Sequence, residues 1–347
     1  MSIGINVDGV AKNPVSIFAG INGEKKKIKE VYLNKNGLPV LGYREANDDE
    51  IIKGFVTVDS SFSHIAYSID GEHWNTFDKI EAPYILKNSL ICYGGDRFVC
   101  VGYEKSYRSL YSLDGKTWHE MTGLQNVKYN DIVYGNNMFV CVGNDGYVSY
   151  STDGETWGNI KVGANGNFSS ITYGNGRFVC LGSVKPTGSA VYTIYYSTTG
   201  NSGWKAMTRS NTTSSTNNPH RVITYGGNRY VWLDQSGYSF YSTNGTSYSY
   251  ISSSPQVGFS PQAICFGNGK FICHNSYSLY QTTNGSSWTK VDSFPYVSLS
   301  SFIYNKDRFI AVGQQGKAYY SINGEDWYEM TGLENSSFYS TLTYKEG

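Results

Sequence analysis

The sequence predicts an all-β chain: a seven-bladed β-propeller carried on a short N-terminal segment. Three observations predict it. A short turn motif recurs seven times. A strand-turn-strand motif recurs between its copies. One copy of that second motif is split between the two ends of the repeat region. Self-similarity at a fixed period is the signature of repeat architectures.

The turn motif is Ser-x-Asp-Gly-x-x-Trp. It reads Ser68-Ile-Asp70-Gly71-Glu-His-Trp74, then Ser112 to Trp118 around Asp114, then Ser151 to Trp157 around Asp153. The fourth copy, Ser197 to Trp204, is one residue longer and has Thr199 in place of Asp. The fifth, Ser242 to Tyr248, carries Asn244; the sixth, Thr282 to Trp288, carries Asn284; the seventh, Ser321 to Trp327, carries Asn323. Successive motif glycines lie 39 to 46 positions apart, the length of a four-stranded blade. Asp-Gly or Asn-Gly between alternating residues marks a tight hairpin turn. The side-chain oxygen accepts from turn N–H groups, and the following Trp is expected to pack against a neighbouring blade. The motif residues are therefore expected to be structural.

The second motif is Ile91-Cys-Tyr-Gly-Gly-Asp-Arg-Phe-Val-Cys-Val-Gly102, repeated at 132–143, 171–182, 223–234, 264–275 and 302–313. Each copy reads as a hairpin, so hairpin plus turn motif gives four strands. The seventh copy is split: Thr341-Leu-Thr-Tyr matches its first half and Gly54-Phe-Val-Thr-Val-Asp59 its second. The C-terminal strand is thus expected to complete the first blade, which leaves no open edge.

Residues 51–347 are assigned to the propeller and residues 1–50 to an attachment or oligomerisation segment. The latter reads as short strands and turns, too small to bury a core of its own. Lys25, Lys26, Lys27 and Lys29 fit a hairpin edge guarded by charge, and Glu45 to Glu50 reads as a hinge.

The chain carries 28 basic and 28 acidic residues. Nucleic acid and anionic membrane both call for a positive field, which this balance does not supply. No apolar run reaches membrane-spanning length, and the N-terminus has no signal-peptide pattern; synthesis in a bacterial cytoplasm is expected. Cys100, Cys141, Cys180 and Cys273 share one strand position, and Cys92 and Cys265 another. Residues so placed behave as small buried hydrophobes rather than disulfides or ligands. No metal and no cofactor is expected.

Two resemblances bear on function. The seven turn motifs resemble the Asp-box of sialidase-like propellers, over residues 54–347. The segment Phe18-Ala-Gly-Ile-Asn-Gly-Glu-Lys-Lys-Lys-Ile-Lys-Glu-Val-Tyr-Leu33 is similar to Gly-Asn-Gly, Lys-rich modules in tail-fibre and baseplate proteins of phages and phage-like particles of Gram-positive bacteria, over about a seventh of the chain. Together they imply a tail receptor-binding protein, a homotrimer on a virion or particle. Its N-terminal segment would join other tail or baseplate proteins. Its head would grip a bacterial cell-surface carbohydrate.

The rival reading is a glycoside hydrolase of the sialidase type. The resemblance implies that such an enzyme needs converging Arg residues, a Tyr nucleophile with a Glu partner and an Asp acid. Here Arg97, Arg177, Arg229 and Arg308 follow the same hairpin turn, one per blade, with Met138 and Lys270 at the equivalent positions. Residues equivalent by repeat ring the face and do not converge. Asn or Thr replaces four of the seven motif Asp residues, which proton transfer would not tolerate. No catalytic residue is expected. A third reading is a protein-docking propeller, since fold alone does not fix the ligand.

The two turns of each blade share one face and are uniform. The opposite face carries the second-to-third loops and the interblade connections, which vary. Function concentrates on variable loops over a rigid scaffold. A ligand is expected there, at the channel mouth ringed by Asn88, Asn130, Asp131, Ser170, His220, Arg221, Gln262, Ser301 and Tyr339. The candidate contacts are Tyr103, Tyr107, Arg108, Tyr129, Phe168, His220, Arg221, Phe259 and Tyr296.

Overall fold

A computed structural model describes the backbone at 18–21, 24–27, 30–35 and 38–44. It further describes residues 52–59, 64–77, 82–83, 90–102, 109–163, 166–184, 191–209, 219–251, 257–258, 260–275, 277–333 and 339–345, with 183–184, 191–192 and 339–340 by backbone alone. The chain divides into two compact units, Met1–Glu50 and Ile51–Gly347. In the first, Phe18–Ile21 pairs antiparallel with Glu24–Lys27, and Glu30–Lys35 with Leu38–Arg44. Lys29 and residues 45–50 lie outside the described residues.

The second unit is a seven-bladed propeller. Six blades take their strands in chain order, from an inner strand outward: Leu90 to Glu120, Tyr129 to Lys161, Asn167 to Ala206, His220 to Tyr250, Ala263 to Lys290 and Leu299 to Glu329. The first blade is composite. Its inner strand is Tyr339–Lys345, paired antiparallel with Gly54–Asp59 in the register Thr341↔Val58 to Lys345↔Gly54. Ile65–Ser68 and Asn75–Phe77 complete it. The split repeat therefore closes the ring.

Side chains on strands alternate between faces, and each blade face is buried against a neighbour. The core accordingly falls into seven clusters, each between two adjacent blades. Phe55, Ala66 and Trp74 of the first blade meet Ile310, Val312 and Met330 of the seventh. All six cysteines are free, and five are buried in these clusters. Burial pushes the Cys92 and Cys265 thiols up to about 12, which removes thiolate chemistry near neutral pH.

The turn motif works as its residues suggest. In the first blade Asp70 Oδ1 accepts from the N–H groups of Glu72 (2.8 Å) and His73 (2.9 Å), while Ser68 Oγ accepts from Gly71 N (2.8 Å). Asp114, Asp153, Asn244, Asn284 and Asn323 repeat the pattern. Burial alone would raise the Asp70, Asp114 and Asp153 carboxyls. The donated N–H bonds outweigh it and hold all three below their usual range.

Blades are locked to one another by devices in register. Four of the five cations after a hairpin turn reach the turn motif of the next blade: Arg97 pairs with Glu155, Lys270 with Glu325 (2.9 Å), Arg308 with Glu72 (2.6 Å), and Arg229 donates to the Asn284 carbonyl (2.9 Å), while Arg177 donates to the Asn175 carbonyl of its own turn (3.4 Å). The repeat predicted that these cations would not converge, and their partners give the reason. A second latch is formed by Met-Thr segments after outer strands. Trp74 Nε1 meets Met330 Sδ at 3.0 Å, and Trp157 Nε1 meets Met121 Sδ at 2.9 Å. Thr331 and Thr122 form parallel bridges to His73 and Thr156, and Thr208–Arg209 pairs with Ser247–Tyr248. A third device is a bare glycine. A Cβ on Gly135 would lie 2.2 Å from the Tyr173 ring of the next blade, so only Gly lets that ring seat.

Candidate ligand face

The inner strands carry an irregularity at one end that the sequence did not disclose. Their register shifts between Tyr129 and Asp131, Phe168 and Ser170, His220 and Val222, Leu299 and Ser301, and Tyr339 and Thr341. Each is a β-bulge with one extra residue: Asn130, Ser169, Arg221, Ser300 and Ser340. Bulges re-aim side chains at strand ends. Here they place polar residues around the mouth of the central channel, on the face opposite the turn motifs.

Two cavities meet at this ring. The channel itself, about 450 Å³, is walled by inner strands, with Asp131, Ser170, Ser301 and Thr341 among its lining residues. A second cavity of about 560 Å³ opens beside it over blades three to six. Asn130, Asn144, Asn167, Arg221, Gln262 and Lys128 supply its polar wall. None of its lining residues is a carboxylate.

Hydrogen bonds fix several of these groups. Asn130 Nδ2 donates to Asn144 Oδ1 (3.0 Å) and to the Phe168 carbonyl (2.7 Å). Asn144 is thereby held by its oxygen, and its amide nitrogen remains for a ligand. Arg221 is exposed and contacts Ser260 Oγ at 3.3 Å. Asp131 is a clip between blades three and four: its carboxylate accepts from Ile132 N (2.8 Å), Ser170 Oγ (2.7 Å) and Ile171 N (2.8 Å). Desolvation nonetheless pushes its carboxyl up to about 6, against the pull of those donors.

The expected contact residues separate into three groups. Arg221 lies at the mouth, and His220 behind it. His220 is buried, with Phe240 and Trp232 rings edge-on at 5.0 and 6.3 Å. Tyr129 and Phe168 were expected as ligand contacts, but they are 2% and 1% exposed. They fill interblade clusters; Tyr129 Oη is engaged with Ser149 Oγ at 2.6 Å. Phe168 nevertheless lines the 560 Å³ cavity, and Tyr129 does not. Tyr296 is 78% exposed, on the connection from blade six to blade seven. Tyr103, Tyr107, Arg108, Phe259 and Asn88 lie outside the described residues, and Tyr339 is described by backbone alone. Among the described residues no group of His, Cys, Asp and Glu is arranged to hold a metal ion.

Burial lowers both His220 and His274 to about 4. In the unfolded chain they would titrate near 6.5. Between these values the unfolded chain binds protons that the folded ring does not. Stability contributed by the neutral rings is therefore complete above pH 6.5 and is lost as pH falls toward 4. The loss amounts to about 3 kcal/mol per ring at most. Thermal unfolding of the wild type should drop more steeply between pH 7 and 4.5 than that of a His220→Gln/His274→Gln variant. Parallel pH profiles would show that the rings already bind protons when folded.

No family model and no curated protein matches the chain. Solved structures do match. "YCF48 bound to D1 peptide" superposes with a TM-score of 0.54 at 14% identity, over 82% of this chain and 88% of that one. YCF48 from Cyanidioschyzon merolae gives 0.54 at 16% identity, over 74% and 89%. The computationally designed Ika8 protein gives 0.52 at 9% identity, over 86% and 92%. The chain is a seven-bladed β-propeller. At these identities the likeness is one of fold.

Proposed function

We propose that the chain is a non-enzymatic receptor-binding protein whose channel mouth holds a carbohydrate of a bacterial cell surface. The carrying observation is the 560 Å³ cavity over blades three to six, walled by amides and two cations on the face where blades differ. A concave site with a few convergent polar groups is the ordinary form of a small-ligand site. Amide and cationic donors suit the dense acceptors of a sugar. The resemblance of the first fifty residues to tail-fibre and baseplate modules supports a place on a phage or phage-like particle, with those residues joining it to the particle and to two further copies. The turn-motif carboxylates are spent on backbone N–H groups, so turnover of sialosides is not expected.

One observation favours a second reading. A propeller of the same fold is recorded with a peptide bound, and a peptide would also use the donors of this mouth.

The test is a panel of purified bacterial cell-wall polysaccharides and random peptides, offered to the wild type and to an Arg221→Ala/Asn144→Ala variant. We expect retention of polysaccharide by the wild type and at least tenfold weaker retention by the variant, at unchanged thermal stability. Retention of peptides alone would replace the glycan reading with docking. Polysaccharide binding that ignores both substitutions would move the site elsewhere.

A further inference from the structure

We infer that Tyr277 and Tyr296 form a second carbohydrate subsite, an aromatic platform outside the mouth, so that the ligand is an extended chain and not a single terminal sugar. This rests on the glycan reading above. Their rings stack with centroids 4.3 Å apart and planes inclined by 15°. Tyr296 is 78% exposed and Tyr277 44%. Tyr296 is the most exposed large hydrophobic side chain among the described residues. Folding forgoes the stabilisation that burying these rings would bring, and neither ring belongs to the clusters beneath.

The platform is on the same face as the mouth. Tyr277 belongs to the second-to-third loop of blade six, after Lys270–His274, and Tyr296 to the connection that precedes the inner strand Leu299–Asn305. Blade six is common to both sites, since its Gln262 lines the mouth cavity. A chain leaving the mouth over blade six would meet the platform.

The platform is also held in place. Phe294, 8% exposed, is wedged edge-on against Tyr319 and Trp327, each at 5.4 Å. Phe294 N donates to the Val291 carbonyl. His274 Nε2 donates to the Val297 carbonyl at 3.2 Å, immediately after Tyr296. A ligand therefore pays little to order this segment. Each Tyr offers an apolar ring face to sugar C–H groups and a hydroxyl at its rim.

The test uses size-fractionated fragments of whichever cell-wall polysaccharide the wild type retains, offered to wild type, Tyr277→Ala/Tyr296→Ala, Tyr296→Phe and Arg221→Ala. We expect the double alanine variant to bind long fragments roughly tenfold more weakly and the shortest bound fragment as the wild type does. Tyr296→Phe keeps the ring face and should bind long fragments nearly normally. Arg221→Ala should weaken both lengths. If the double alanine variant binds long fragments like the wild type, the platform is not a subsite, although the mouth remains one. If the wild type retains no polysaccharide at all, the glycan reading and the subsite fall together.

Discussion

A chain lacking Thr341–Gly347 will not close its ring. Thr341–Lys345 make up most of the inner strand of blade one, hydrogen-bonded to Gly54–Asp59. Thr57 Oγ1 donates to the Thr341 carbonyl at 2.7 Å, and Thr343 Oγ1 accepts from Tyr93 N of blade two at 2.8 Å. Leu342 is buried between blades seven and one, and Lys345 Nζ sits 5.0 Å over the Tyr93 ring. Removal opens a backbone edge on blade one and unsupports both of its neighbours. The loss should be on the order of the whole folding free energy of a domain, about 5–15 kcal/mol. The exposed strand should also promote association. Thermal unfolding and sedimentation read both effects. A truncated chain with the midpoint and monodispersity of the full one would refute closure by this strand.

Trp157→Ala should destabilise the ring by about 3–5 kcal/mol, the usual cost of emptying a buried large aromatic site. Trp157 is 4% exposed and packs on Phe139 at 6.3 Å. Its Nε1 also reaches Met121 Sδ in the preceding blade and the Gly154 carbonyl (3.3 Å). Trp157→Phe keeps part of the packing and loses the donor, so it should fall between the two. Denaturant titration decides it. A loss below about 1 kcal/mol for the alanine variant would mean that the interblade latch is carried by other groups.

The propeller was legible because its signals are local. A Gly in a two-residue turn and a Trp three positions on are set by the geometry of a single hairpin, and seven copies leave little choice of architecture. The polar mouth was legible at Asn130, Asp131, Ser170, Arg221 and Gln262, which sit at or beside the same end of the inner strands. What the sequence hid is longer in range. Tyr129 and Phe168 occupy one repeat position, shared with His220 and Leu299, and their variety suggested loop-face contacts. The position faces the gap between blades, and each gap is filled differently. The partners of Arg97, Arg308 and Lys270 lie in the next blade, tens or hundreds of residues away. The Met121 and Met330 latches repeat too seldom to stand out. The bulges at the mouth all fall on polar residues, but polarity at a strand end does not by itself mark a bulge.

The composite first blade also sets the path of mechanical load. Ile52 lies at the turn face, its N–H bonded to the Asp114 carbonyl of blade two at 2.9 Å. Gly54–Asp59 runs from there toward the opposite face, with Tyr339–Lys345 on one side and Ile65–Ser68 on the other. A pull between Ile52 and Asp59, at the two ends of this strand, acts along it. Its two ladders then resist in shear, all bonds at once, whereas an edge strand would unzip bond by bond. Resistance to such a pull is a matter of unfolding rate. A strand flanked on both sides, rather than one at a free rim, is where the chain takes the strain.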